Sequence, residues 1–283
     1  MASFTNFATL SYNGGTTNSN IVTGEILEAL TAVKTAVSAN YSAGDRITYA
    51  LSLVNTGTAA ITDYTVTDNL GAYTVGANTV YPLAYNAGTV RYYINGVLQA
   101  APTVTAGPPL TVTGLTVPAG GSAVLIYETT ATPVAPLATG SSITNTATIT
   151  GGGLTNPITA QATVETANSA DLTISKALSP TTVTENGQIT YTFVISNTGN
   201  TEATATGNVV VTDTFAPILR NIAVTYNGTA WTEGTNYTYN AATGVFTTLA
   251  GQITVPAATF TQNTDGTFTV TPGTATLVIT GTV

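Results

Sequence analysis

The chain has 283 residues, 43% of them apolar and only 6% charged, with five basic against thirteen acidic side chains and a net charge of −8. So little charge excludes coiled-coil and disordered classes, and the acidic balance leaves no basic patch to neutralise a phosphate backbone, so no nucleic acid partner is expected. Histidine and cysteine are both absent, which removes the common zinc sites, thiol nucleophiles, histidine bases and disulfides together; no metal and no other cofactor is expected.

From the N-terminus, residues 1–6 show neither a basic stretch nor an apolar run, so no secretory signal is visible. No segment approaches the roughly 20 apolar residues of a membrane helix. Ser3 to Ser11 (SFTNFATLS) alternates and reads as a strand, with Phe4, Asn6, Ala8, Leu10 and then Tyr12 on one side. Leu27 to Val37 (LEALTAVKTAV) fits a strand, and passably a helix carrying Leu27, Leu30, Val33, Lys34 and Val37 near one face. The Thr-, Gly- and Asn-rich remainder reads as short strands joined by tight turns, with Asn95-Gly96 and Asn227-Gly228 as hairpin turns. Tyr92, Tyr93, Tyr237 and Tyr239 suit an adhesion surface or packing across a sheet. Asp63, Glu128, Glu185 and Asp265 are scattered, without the spacing of a calcium loop or a glycosidase pair.

Laid against itself, the chain repeats. Lys34 falls on Lys176, residues 47–49 (ITY) on 189–191, and Asn55-Thr56-Gly57 on Asn197-Thr198-Gly199, all at one offset, 176 − 34 = 142. Residues 123–131 (AVLIYETTA) match 275–283 (ATLVITGTV). The first copy then continues into Ser142 to Thr150 (SITNTATIT), a strand by alternation with no counterpart after the second copy. Residues 3–11 carry that same pattern. The predicted organisation is a donor strand or hairpin at 1–28, a first β-sandwich at 29–165, and a second at 166–283 lacking its final strand.

Alternation also places polar residues inward. Leu172, Ile174, Lys176 and Leu178 share a face, as do Leu30, Ala32, Lys34 and Ala36. Val209, Val211, Asp213 and Phe215 share another, matched by Tyr64, Val66, Asp68 and Leu70. Ile143, Asn145, Ala147 and Ile149 share a third, matched by Phe4, Asn6, Ala8 and Leu10. Buried lysine and aspartate are costly unless they meet.

Lys, Asn and an acid meeting inside a β domain resemble the triads of spontaneous isopeptide bonds in Gram-positive pilins and adhesins. That resemblance implies a bond between Lys34 and Asn145 assisted by Asp68. It implies a second between Lys176 and Asn6 of another copy assisted by Asp213. The segments 170–180, 187–199, 208–215 and 143–149 also resemble the conserved-repeat family labelled "domain of unknown function eleven", tandem immunoglobulin-like modules of bacterial and archaeal surface proteins. The overall expectation is an all-β chain of two tandem immunoglobulin-like sandwiches, not an enzyme. It is expected to be a structural subunit that polymerises with itself, head to tail, into an extracellular cell- or spore-surface fibre. The alternative is an adhesin module that holds a glycan or host protein.

Overall fold

The structure, a computed structural model, describes residues 2–26 and 29–283. Met1, and the pair Leu27 and Glu28, where the helix reading of 27–37 begins and the donor segment is expected to end, lie outside the described residues. Among the described residues, regular structure is β throughout, apart from one short 3-10 turn at Ala205–Gly207. Residues 30–36 form a strand. Thr31, Val33 and Thr35 point outward while Leu30 and Lys34 point into the core, and the segment pairs along Arg46–Asn55 with Lys34 opposite Leu51. A run of β-branched residues at every second position suits that pleated surface better than a helix.

The chain divides into two compact units, Met1–Ala135 with Ser142–Glu165, and Pro136–Ser141 with Thr166–Val283. In the first, two six-stranded sheets enclose a core. One runs Val97–Leu98, Arg91–Ile94, Ser122–Ala131, Arg46–Asn55, Leu30–Ala36, with Leu83–Tyr85 also paired to Ser122–Ala131. The other runs Thr103–Thr105, Leu110–Val117, Ile61–Asp68, Ser142–Gly151, Ile158–Thr166, Asn40–Tyr41. Side chains alternate buried and solvent-facing along both, and Tyr49, Leu51, Tyr64, Leu115, Tyr127 and Ile149 are fully enclosed.

The second unit repeats five of the first sheet's six strands, all but Leu83–Tyr85, in the same order: Leu172–Ser179, Gln188–Asn197, Gly273–Thr282, Arg220–Tyr226, Thr229–Trp231. Its last two strands turn through Asn227-Gly228, as Arg91–Ile94 and Val97–Leu98 turn through Asn95-Gly96. All four turn residues have positive φ, the geometry that a two-residue hairpin favours and that Asn-Gly tolerates. The other sheet holds only Thr212–Thr214, Val245–Thr248 and Tyr237–Asn240. Among the described residues of this unit, nothing takes the places that Ser142–Gly151 and Ile158–Thr166 take in the first.

Residues 2–26 form a hairpin. Ala2–Asn6 pairs with Val22–Ile26, and Thr9–Tyr12 pairs with Gly15–Asn18 around an Asn13-Gly14 turn. Between these ladders Ser19, Asn20 and Ile21 stand against Phe7 and Ala8, a one-residue bulge pinned by Ser19, whose N–H donates to the Ala8 carbonyl and whose hydroxyl accepts the Ala8 N–H. Residues 3–11 are therefore two short strands with a break at Phe7-Ala8, not the continuous strand that alternation predicts.

The repeated Asn-Thr-Gly motif has a structural cause. Asn55 is buried; its Nδ2 donates to the Ala59 and Pro118 carbonyls at 2.8 and 3.0 Å, and its Oδ1 accepts the Gly57 N–H at 2.9 Å. Asn197 does the same with Thr201, Pro256 and Gly199. A Cβ on Gly199 would stand 2.2 Å from the Ser169 carbonyl oxygen, so only glycine fits. Asn55→Ala, which orphans several buried backbone groups, is expected to lower the unfolding free energy by about 2–4 kcal/mol in denaturant titration.

Candidate functional site

In the first unit the lysine strand Leu30–Ala36 and the aspartate strand Ile61–Asp68 lie in opposite sheets, and their charged side chains meet across the core. Lys34 Nζ donates to Asp68 Oδ2 at 2.5 Å, with the two side chains 0% and 1% exposed. The Tyr127 hydroxyl donates to the same oxygen, and the Leu70 N–H donates to Asp68 Oδ1 at 2.9 Å. Tyr49 and Tyr127 are opposite one another on neighbouring strands and stacked, with ring centroids 5.8 Å apart. Lys34 Nζ sits 4.8 Å from the first ring and 5.9 Å from the second.

The asparagine strand Ser142–Gly151 runs beside the aspartate strand with Ala147 opposite Asp68, so Asn145, two residues away, looks into the same space. Asn145 is fully buried, and neither its Oδ1 nor its Nδ2 has a hydrogen-bond partner. It stands near enough to the Tyr49 and Tyr127 hydroxyls to favour their ionisation slightly, though outside good hydrogen-bond geometry. Leaving both ends of a buried amide unmade costs about 1–3 kcal/mol each, so this amide needs a reason to be there.

Burial dominates the electrostatics. Removing the Lys34 ammonium from water pulls its pKa from 10.5 to about 8, with the attraction and hydrogen bond of Asp68 only partly offsetting the loss. Burial first, then the Asp68 charge, pushes both phenols upward.

The second unit has the same pair without the cover. Lys176 Nζ donates to Asp213 Oδ2 at 2.5 Å, but the side chains are 41% and 17% exposed. Lys176 still leans over the core rings of Tyr191, Phe193 and Phe215, at 4.6, 5.4 and 5.5 Å. The face predicted to be inward is thus inward and uncovered. Thr212–Thr214 pairs with Val245–Thr248 on one side only. An apolar groove of about 150 Å³ lies between the lysine strand and residues 209–211, lined by Leu172, Ile174, Ile195 and Val209 to Val211. Ile174 and Leu178 stay exposed.

The sequence-predicted donor residues sit in the open as well. Phe4, Leu10 and Tyr12 are each more than half exposed, as are Phe7, Ile21 and Val22; Asn6 and Ala8 are exposed too. In the first unit Ile143 faces Val164 and Asn145 faces Ala162 across the ladder. In the hairpin Phe4 faces Gly24 and Asn6 faces Val22. The Phe4 ring fills the space a side chain at Gly24 would take, its nearest atom 2.4 Å from an ideal Cβ, so one large residue beside none stands where two medium ones stand in the first unit.

The Tyr127 hydroxyl is not among the charged and amide groups that alternation singles out. Tyr127 alternates with the core residues Leu125 and Thr129, and that period was the available signal. Conversely, Tyr92 and Tyr237 are buried and Tyr93 and Tyr239 half-buried, so they pack within the units and make no exposed adhesion patch. No group of three or more acidic, histidine or cysteine side chains suited to a metal occurs among the described residues.

No protein-family model matches the chain, so the resemblance to the conserved-repeat family gains no support there, and no curated protein matches it. Among solved structures it is similar to BcpA, the major pilin subunit of Bacillus cereus, at 14% identity and TM-score 0.35, covering 96% of this chain and 73% of that one. It is similar to the pilus backbone RrgB of Streptococcus pneumoniae at 14% identity and TM-score 0.36, covering 86% and 55%. The N-terminal domain of the Streptococcus gordonii adhesin Sgo0707 gives 14% identity and TM-score 0.36 over 48% of this chain; the match spans about a third of that structure, 32%. TM-scores this low assign no residue role to this chain.

The depressed Lys34 pKa has a consequence for stability wherever Lys34 is a free amine, as in Asn145→Ala. Below about pH 8 the folded state carries the buried ammonium; between about 8 and 10.5 it is neutral while the unfolded chain still holds the proton. The unfolded state then binds more protons, so stability rises with pH across that window until the tyrosines of the unfolded chain ionise near 10. Urea midpoints of Asn145→Ala are expected to be higher at pH 9.5 than at pH 7.5.

Proposed function

We propose that this chain is a structural subunit that polymerises head to tail into an extracellular fibre, each copy laying its N-terminal hairpin into the open second unit of the next. The observation that carries this reading is a matched pair of sites, one closed and one open. Lys34 and Asp68 are covered by residues 142–151, whereas Lys176 and Asp213 stay partly open to solvent beside an unpaired strand edge. The sealing pattern SITNTATIT reappears as SFTNFATLS at residues 3–11, in a hairpin whose apolar side chains are exposed. An edge with unpaired backbone groups next to an apolar groove is where a strand from another chain adds.

An isolated two-stranded hairpin is marginal in water, so docking gives this one a sheet to belong to. Burying Phe4, Leu10 and Tyr12 contributes roughly 1.5–3 kcal/mol each, before the costs of association and ordering are subtracted. Because donor and acceptor are different surfaces of one chain, the contact does not close on itself and extends into a filament.

The same placement brings Asn6 to Lys176 and Asp213, as Asn145 lies with Lys34 and Asp68. At each site the neutral lysine amine attacks the asparagine Cγ. The Cγ–Nζ bond forms, the Cγ–Nδ2 bond breaks, and the departing nitrogen leaves as ammonia with protons passed through the aspartate. One bond stiffens the subunit and the other makes the polymer covalent, which suits an extracellular fibre without cysteine. The adhesin alternative gains no support from Tyr92 and Tyr237, which are buried.

Deleting residues 2–14 is expected to abolish filaments in electron micrographs and leave monomer in light scattering; filaments from the deleted chain would overturn strand donation. Lys176→Arg, which keeps the charge but does not condense, is expected to form filaments that boil in denaturant to single chains, while the unaltered protein leaves a ladder. A ladder from Lys176→Arg, or none from the unaltered protein, would overturn the covalent link alone.

A further inference from the structure

The two lysine–aspartate sites differ in one core position. The repeat that aligns residues 123–131 with 275–283 places Tyr127 on Ile279, both fully buried. In the first unit the Tyr127 hydroxyl and Lys34 Nζ converge on Asp68 Oδ2 while the Leu70 N–H holds Oδ1. In the second, Asp213 Oδ2 meets Lys176, Oδ1 accepts the Thr214 N–H at 2.9 Å, and Ile279 offers no donor.

We propose that Tyr127 is a positioning residue for bond formation in the first unit, fixing the Asp68 carboxyl so that Oδ2 receives the Lys34 proton, and that its absence makes the intersubunit bond the slower of the two. This rests on the reading that Lys34 and Asn145 condense. Pinned at both oxygens, the carboxyl does not rotate. One proton moves from Nζ to Oδ2, freeing the amine to attack Asn145 Cγ; Nζ gives up a second once the Cγ–Nζ bond has formed, and with both delivered through the acid to Nδ2 the Cγ–Nδ2 bond breaks, so one amide, one ammonium and the restored carboxylate account for every atom and charge. The order that follows is structural: a subunit locks itself first, and the link to its neighbour forms after the hairpin has docked.

Tyr49 is the internal control. It is as buried as Tyr127, stacks on it, and lies closer to Lys34, but its hydroxyl has no hydrogen-bond partner. The titratable groups around Asp68 are Lys34, Tyr127 and Tyr49, with Tyr41 beyond Tyr49.

The test is full-length chain from timed cell-free synthesis, quenched in acid, with ammonia loss in the Lys34–Asn145 cross-linked peptide followed by mass spectrometry and rates taken on the protease-resistant, folded fraction. Tyr127→Phe is expected to slow the loss by about tenfold or more. 3-Fluorotyrosine at position 127, which keeps the hydroxyl donor, is expected to keep the unaltered rate. Tyr49→Phe is expected to leave the rate unchanged. Equal rates for Tyr127→Phe and the unaltered chain, or equal slowing by both substitutions, overturn the assignment. An unaltered chain that never loses ammonia at this site overturns the condensation itself.

Discussion

An ammonium and a carboxylate facing each other between two β-sheets are tolerable only if something closes over them. The Coulomb attraction of such a pair is offset by the cost of taking both charges out of water, and the remaining lone pairs and protons still need partners. In the first unit the asparagine strand is that closure. It extends the aspartate strand's sheet, excludes water from Lys34 and Asp68, and delivers an amide with no other hydrogen-bond partner. Burial lowers the Lys34 pKa, and the stacked rings of Tyr49 and Tyr127 lie against its ammonium. The second unit shows the same pair without that strand. Its lysine stays in contact with solvent, and its edge and groove stay open.

Much of this was legible in the sequence because the repeat compares the protein with itself. The matched Lys34 and Lys176, the Asn-Thr-Gly turns and the alternating Val-Thr-Asp segments each occupy corresponding places in the two units. Strand period alone placed Lys34, Asp68 and Asn145 toward the core, since inward side chains recur at every second residue. Residues 27–37 were ambiguous because a heptad-like spacing of Leu30, Val33, Lys34 and Val37 coexists with β-branched alternation. The Arg46–Asn55 partner strand resolves it for residues 30–36, and no local pattern encodes partners 13 to 25 residues away.

Other features were not legible for identifiable reasons. The bulge at Phe7-Ala8 comes from a mismatch in length between the two arms of the hairpin, set by the pairing register and the Ser19 hydrogen bonds rather than by any residue in 3–11. Tyr127 carries no mark of its own in the sequence, because its contact is a hydroxyl aimed across the core at a residue 59 positions away. The tyrosines at 92 and 237 looked available for adhesion, because alternation in short, strongly turned strands does not say which side the core lies on.

If the second unit is completed from outside, the filament inherits the fold of the first unit at every junction, and the same lysine, acid and amide recur within and between subunits. The most direct measurement is a cryo-electron microscopy map of the polymer at side-chain resolution. The account requires a strand beside Thr212–Thr214 whose side chains are those of residues 3–11 from a neighbouring copy, with Asn6 against Lys176. An empty edge there, or a strand traced to the same copy or to residues following Val283, would contradict it.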